Sequence, residues 1–426
     1  MIREIKNDKL YFDGCDTVKL AEEYGTPLYV YSENDIVGKC SEIKEDFTDK
    51  YPRTRAAYAA KAFFTLAMAD ILNKEGMCVD VVSGGELYTA LKAGFPVERI
   101  EFNGNNKSYD EIKLAVENHI GRIIIDGLQE LPLIEQACRE CNTTIKVLFR
   151  ITPGVMSATH KYITTGGKDS KFGIPMEDEV ILPQIKAAID SKYVEFYGLH
   201  FHVGSQLFDS QSYLMALDVL LGLVKKIKKA YGYDIKEINV GGGFGATYIN
   251  EERKPYSYFL DPIMEKIEDY YKKAGVERPN VVIEPGRSIA AEAGIMLYTV
   301  GSIKEIPGIK TYMSVNGGMT DNIRPALYQA EYTGVIANKA NEPKTDTVTV
   351  CGKCCESGDI LINNLEIAHP EAGDTFAVFA TGAYGYSMAS NYNKNPIPGV
   401  ALVKDGKARM IVEHQTYDNM ISRELK

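Results

Sequence analysis

Eight times between residues 56 and 286 the chain repeats one pattern: an apolar or β-branched run, a polar or glycine end, then a helix-like segment. The runs are residues 56–61, 77–83, 100–104, 122–126, 146–151, 196–202, 237–242 and 280–286. Helical periodicity falls between them, for instance over 110–118, 131–140 and 212–230. Strands that alternate with helices pair in parallel through right-handed crossovers. Eight such units predict a (β/α)8 TIM barrel over residues 35–290. A doubly wound open sheet would place function at only one or two strand ends. Here every end carries a polar or glycine residue: Lys61, Asp80, Asn103, Asp126, Arg150, His202, Gly241-Gly242-Gly243 and Glu284. Barrel chemistry sits at the C-terminal strand ends, so these are the candidate site residues.

The remaining sequence has another character. From about Gly294, β-type runs at 297–300, 347–350, 375–379 and 408–412 are separated by Gly, Pro and Asn turns. That spacing predicts an antiparallel β domain. Strand-like runs at 9–12 and 28–31 precede the barrel. They are expected to join the C-terminal part, giving a β-sandwich-like or β-barrel-like substrate and dimerisation domain of residues 1–34 and 291–426.

A chain of 426 residues exceeds one ordinary core, in agreement with two domains. The formal charge of -10 argues against nucleic acid as a partner. No apolar run approaches the ~18 residues of a membrane span, and the first residues lack a signal-peptide core. A cytoplasmic protein with reduced cysteines is the expectation. Cys351, Cys354 and Cys355 crowd together, and His200 lies two residues from His202, but neither group finds further ligands at zinc spacing. No metal is expected.

Particular residues suggest chemistry, each with a plainer alternative. Lys61 closes the run Ala56-Ala57-Tyr58-Ala59-Ala60-Lys61. Held at the mouth of an apolar core it would be poorly solvated, which favours the neutral amine that attacks carbonyls. Its alternative is a core-edge lysine whose stem packs while the ammonium reaches water. His202, before Gly204 and Ser205, could lie flat on an aromatic cofactor, whereas His200 reads as a core histidine. Gly241 to Gly245 could cradle a phosphate or simply form a turn. Glu284 ends an apolar strand and needs a cationic partner, either a protonated ring nitrogen or Arg287. Arg324 and Tyr328 offer a fork and a phenol to a carboxylate. Cys355 stands beside Glu356 and Asp359, a setting for proton donation or for an inert buried thiol.

Taken in order, these segments resemble the diaminopimelate decarboxylases, pyridoxal-phosphate enzymes of the alanine-racemase-like barrel class. The likeness runs through residues 58–63, 80–87, Gly104-Asn105-Asn106-Lys107-Ser108, Ser170-Lys171-Phe172-Gly173, 202–206, 241–245, 284–288, 324–328, 355–359 and 382–393. It implies that Lys61 bonds the cofactor pyridoxal 5'-phosphate, His202 stacks on its ring and Glu284 binds the ring nitrogen. Ser205, Gly243, Gly286 and Arg287 would lie at the phosphate, with Asp80 and Tyr384 also at the cofactor. Arg287, Arg324 and Tyr328 would take the distal carboxylate of a small amino-acid substrate, with Tyr384 and Glu356 also at the substrate. The segment of Cys355 and Glu356 reaches the partner's site in this family, implying a homodimer with shared active sites and Cys355 as a proton donor. The activity implied is decarboxylation of meso-2,6-diaminopimelate to L-lysine, the last step of lysine biosynthesis. A decarboxylase of another basic amino acid, such as D-ornithine, D-lysine or a carboxynorspermidine-type substrate, is the nearest alternative. A racemase lacks support here for its second base, and a small cofactor carrier would lack the β domain. Asn316 stands where the family has Asp, and Glu413-His414-Gln415-Thr416 replaces an Arg-Glu-Thr-like segment.

Overall fold

The computed structural model describes residues 3–155 and 170–426. They form two compact units. One comprises Cys40–Gly245 and Arg253–Ser288, the other Met1–Lys39, Ala246–Glu252 and Ile289–Lys426.

The chain begins in the second of these with a small antiparallel sheet, β1 (Arg3–Lys6), β2 (Lys9–Phe12) and β3 (Cys15–Asp16), then β4 (Leu28–Ser32). The barrel unit follows. Its strands are β5 (Thr54–Ala59), β6 (Cys78–Val81), β7 (Ile100–Phe102), β8 (Arg122–Ile125), β9 (Ile145–Arg150), β10 (Val194–His200), β11 (Glu237–Asn239) and β12 (Asn280–Ile283). All eight pair in parallel, and β12 closes on β5 with Val281 opposite Thr54 and Ile283 opposite Ala56. The predicted (β/α)8 barrel is therefore observed. Each strand ends one to a few residues earlier than the sequence pattern suggests. Asp80 and Arg150 fall within their strands, while Lys61, Asn103, Asp126, His202, Gly241-Gly242-Gly243 and Glu284 sit just beyond the strand ends.

Side chains hold these turns. Ser83 caps the helix Gly84–Lys92 and Ser108 forms a capping box with Glu111 on Tyr109–Glu117. Glu86 accepts from the Val82 amide at 2.8 Å, and Glu111 from the Gly84 amide at 2.7 Å. Glu130 accepts from the amides of Asp126 and Gly127, while its other oxygen takes Lys107 Nζ at 2.6 Å. Lys107 also donates to the Gly104 carbonyl at 2.7 Å. Carboxylates thus tie the turns after β6, β7 and β8 into one rim.

In the other unit the later strands are β13 (Gly294–Ile306), β14 (Lys310–Val315), β15 (Gly334–Ile336), β16 (Asp346–Cys351), β17 (Ile360–Ile367), β18 (Thr375–Val378), β19 (Gly399–Lys404) and β20 (Lys407–Val412). They form a sheet ordered β17-β16-β14-β13-β4-β19-β20, with β18 on β13 and β15 on β18. Pairing is antiparallel except for β14 with β16 and β4 with β19. The N-terminal strands belong to this unit, as expected. Leu10 and Phe12 share a core with Leu28, Val30, Ile295, Leu297, Ala401 and Val403.

Candidate active site

A cavity of about 270 Å³ opens among the C-terminal strand ends of the barrel unit. Lys61, Asp80, Val82, Asn103, Gly104, Asn105, Arg150, Phe172, His202 and Glu284 line it. Six of the residues picked from strand ends therefore meet in one place. Asp126 instead turns aside, pairing with Arg150 at 3.5 Å and accepting from the Gly173 amide at 2.9 Å. Ser205, Gly243, Gly286 and Arg287 are not among the lining residues.

One expectation about Lys61 needs correction. The strand stops at Ala59, and Lys61 sits in a 3-10 turn, Ala60–Ala62, whose two alanines are buried while the lysine is exposed. The amine is thus solvated and not held within the apolar core. The turn rotates it out of the strand's buried face and into the polar cavity.

Glu284 has the most elaborate surroundings. One oxygen accepts from Asn239 Nδ2 at 2.8 Å and Asn103 Nδ2 at 3.1 Å, and His200 Nε2 lies 3.0 Å away. Burial pushes this carboxyl up, but interaction with His200, charge and hydrogen bond, and with Lys61 pulls it down to about 2. Asp80 accepts from Asn103 at 2.6 Å, yet burial and the negative Glu284 and Glu101 hold it well above the usual carboxyl range. The site therefore pushes two neighbouring carboxyls in opposite directions, Glu284 down and Asp80 up. Burial, then the nearby Lys61 and Arg150, lower the His202 imidazole well below its usual value. His202 Nδ1 accepts from the Gly242 amide at 3.2 Å, so the neutral ring carries its proton on Nε2.

The glycine turn after β11 requires its glycines. A Cβ on Gly242 would lie 1.9 Å from the Glu284 carbonyl oxygen. Gly243, at φ +120°, would bring one to 2.4 Å from the Gly204 carbonyl. The turn is thus pressed against both the Glu284 backbone and the segment that follows His202. Nearby, Arg287 donates through Nε and Nη2 to Ser205 Oγ at 3.1 Å, joining the segments after β10 and β12.

In the β unit, Arg324 is buried at the start of a short helix, Arg324–Tyr328. Its Nε donates to the Tyr332 hydroxyl at 2.7 Å, and its guanidinium lies 5.5–5.7 Å from the rings of Tyr248, Tyr328 and Tyr384. Among the described residues no carboxylate pairs with it. Tyr384 has φ +61°, a conformation rare for a bulky side chain and one that often marks function. Cys355 is exposed, its amide held by Asn393 Oδ1 at 2.7 Å, and Glu356 is exposed beside it. The inert-buried reading of this thiol does not apply. Asn316 and His414 have full local employment. Asn316 bonds Thr26 and the Thr299 amide, while His414 receives the Gly399 amide and reaches the Tyr24 carbonyl. These departures from the family pattern serve packing inside the β unit.

Sequence reasoning missed His200, Asn239 and Glu101. His200 is buried like a core histidine, but it is tied to Glu284. Asn239 was visible only as part of a glycine-turn strand. No local pattern distinguishes such residues, because their partners lie 84 and 45 positions away.

These residues fit a pyridoxal-type group. Lys61 offers an amine, Glu284 an ionised carboxylate for a cationic ring nitrogen, and neutral His202 a flat face. The pyridoxal-dependent decarboxylase family, pyridoxal binding domain, matches residues 33–291. The chain is 44% identical to the diaminopimelate decarboxylase of Bacillus subtilis, over 99% of this chain and 97% of that one. To the Methanocaldococcus jannaschii enzyme it is 39% identical, over 99% and 96%. A crystal structure of the latter superposes with a TM-score of 0.93 at 36% identity, covering 100% and 98% of the two chains. A Helicobacter pylori diaminopimelate decarboxylase complexed with L-lysine gives 0.88 at 31% identity, covering 96% and 99%. The chain belongs to the diaminopimelate decarboxylase family of pyridoxal-dependent enzymes.

Proposed function

We propose that the protein removes carbon dioxide from the D centre of meso-2,6-diaminopimelate and leaves L-lysine, acting in the cytoplasm as a homodimer. The observation that carries this reading is the ionised Glu284, gripped by Asn103, Asn239 and His200 at the floor of a cavity that also contains the Lys61 amine.

Pyridoxal phosphate, when bound, supplies the electron sink for the bond that breaks. The chain supplies the rest. Lys61 provides the amine that bonds the cofactor and yields its place to the substrate amine. Glu284 keeps a fixed negative charge against the ring nitrogen, and His202 offers an uncharged face. Ser205, Gly243, Gly286 and Arg287 hold the phosphate, and Asp80 and Tyr384 complete the cofactor's surroundings. Arg324 and Tyr328, with Arg287, receive the distal carboxylate. Tyr384 also meets the substrate, and Glu356 meets its distal amine. Among the described residues Arg324 has no acidic partner; a buried arginine left so is costly, and a dicarboxylic substrate repairs that deficit. Cys355, from the partner subunit, delivers the proton that replaces carbon dioxide.

Purified protein with pyridoxal phosphate, offered meso-diaminopimelate, D-lysine, D-ornithine and L-ornithine, should release carbon dioxide from the first far faster than from the others. Preference for a substrate without the second carboxylate would overturn the substrate assignment. An unchanged rate and product stereochemistry in Cys355→Ala would remove that cysteine as proton donor.

A further inference from the structure

Beneath the cavity, Glu101 on β7 points into the barrel and is 1% exposed. Its Oε1 takes a hydrogen bond from Asn239 Nδ2 at 3.3 Å, the same amide nitrogen that donates to Glu284 at 2.8 Å. Asn239 cannot be turned around, because its Oδ1 accepts from the Gly241 amide at 2.9 Å. Both amide hydrogens therefore face carboxyls. Asp80, Glu101 and Glu284 bring oxygens within 4.8 Å of one another.

The charges around this group do not balance if every carboxyl ionises. Arg122 lies 3.0 Å from Glu237 and 3.5 Å from Glu101, and Arg55 pairs with Glu237. Glu101, Glu237 and Glu284 thus meet two guanidiniums on this side of the cluster, while Lys61 and Arg150 stand on the cavity side, near Asp80 and Glu284. Uncompensated buried charges are expensive, so a proton should be retained on this side. Glu237 faces both arginines, and Glu284 faces His200 and two asparagine amides, so Glu101 is the group left to hold it. Consistently, burial and the negative Glu284 push Glu101 up to about 8 despite Arg122 and Arg55. Buried Cys78, beside Arg55, Glu101 and Arg122, is raised mainly by burial.

The geometry points to Glu101 as the charge reservoir of the site: a positioning residue, one amide from Glu284, that gives up its proton to solvent when a cation docks against Glu284. Docking the protonated cofactor ring adds one positive charge beside Glu284. Ionisation of Glu101 offsets that added charge and leaves the Glu284 charge on the ring. The proton balance is simple: one proton leaves the Glu101 carboxyl for water, and no bond other than O–H breaks. This inference rests on the cavity being the pyridoxal phosphate site.

Proton release on cofactor binding tests it. Calorimetry of pyridoxal phosphate binding at pH 7.5, in buffers of different ionisation enthalpy, counts protons released per cofactor bound. The wild type should release roughly half a proton more than Glu101→Gln, since the cofactor's own titration cancels in the difference. Equal counts would overturn the proposal. Should the variant not fold, infrared difference titration of the wild type serves instead. A protonated-carboxyl band should ionise near pH 8 in the cofactor-free chain, and at lower pH once cofactor is loaded. A band unmoved by loading also overturns the proposal. Failure of the wild type to bind pyridoxal phosphate would instead defeat the reading of the cavity.

Discussion

At the scale of the residue, the site works by assigning opposite protonation states to neighbouring groups. Glu284 is held ionised by His200 and Lys61 against the pull of burial, while burial and the neighbouring carboxyls push Asp80 well above the usual carboxyl range. With its folded value depressed to about 2 from 4.5, Glu284 contributes stability above pH 4.5 that is lost as pH falls towards 2. Glu284→Gln should therefore flatten the acid limb of a plot of melting temperature against pH between 4.5 and 2. In the loaded enzyme the same variant should lower turnover by about 10²- to 10³-fold, as does loss of other preorganised electrostatic partners. Wild-type turnover in Glu284→Gln would show that the clamp is only structural. Lys61→Ala should abolish the visible absorbance band of the bound cofactor, and persistence of that band would remove Lys61 from the chemistry. How much of this was legible in sequence depended on where each partner lay. Lys61, Glu284 and His202 stand out because a polar residue closing an apolar run is conspicuous. The exposure of Lys61 was misread, since nothing in Ala59-Ala60-Lys61-Ala62 announces that the strand ends two residues early. Asn239 and Glu101 look like ordinary strand residues until the closed barrel places them against Glu284.

At the scale of the element, the rim of carboxylates matters as much as the strands. Lys107 and Glu130 have side chains only 1% exposed and link the turn after β7 to the end of β8. A buried ion pair is weak as a source of stability but costly to break on one side. Lys107→Met should cost about 3–5 kcal/mol by leaving Glu130 charged and unpaired. Lys107→Met with Glu130→Leu should recover most of that loss in a thermal melt. If the double variant melts no higher than the single, the pair is a net stabiliser and not an orienting brace. The barrel strands were readable because parallel strands buried on both faces are continuous apolar runs. The sheet order of the β unit was not readable. β4 pairs with β13 and β19, hundreds of positions away, and no local spacing encodes that register.

At the scale of the whole molecule, the proposed homodimer gives the reading a test that no single-site variant can give. If Cys355 serves the partner's site, Lys61→Ala and Cys355→Ala place their defects in different composite sites of a mixed dimer. Co-refolding or subunit exchange between the two inactive proteins should then restore about a quarter of wild-type activity, as expected when half the dimers are mixed and each has one intact site. No recovery in verified mixed dimers would place Cys355 and Lys61 in the same subunit's site.

The central position of β4 has a further consequence for how the protein is made. One neighbour of this strand, β19 at Gly399–Lys404, leaves the ribosome about 370 residues after β4 itself. Domains fold broadly in order of synthesis. The barrel strands can therefore close while β4 still waits, unpaired on that edge, for a partner about 370 residues later. Until that partner emerges the nascent chain bears an open apolar strand, so this interval of synthesis is a window for misassembly.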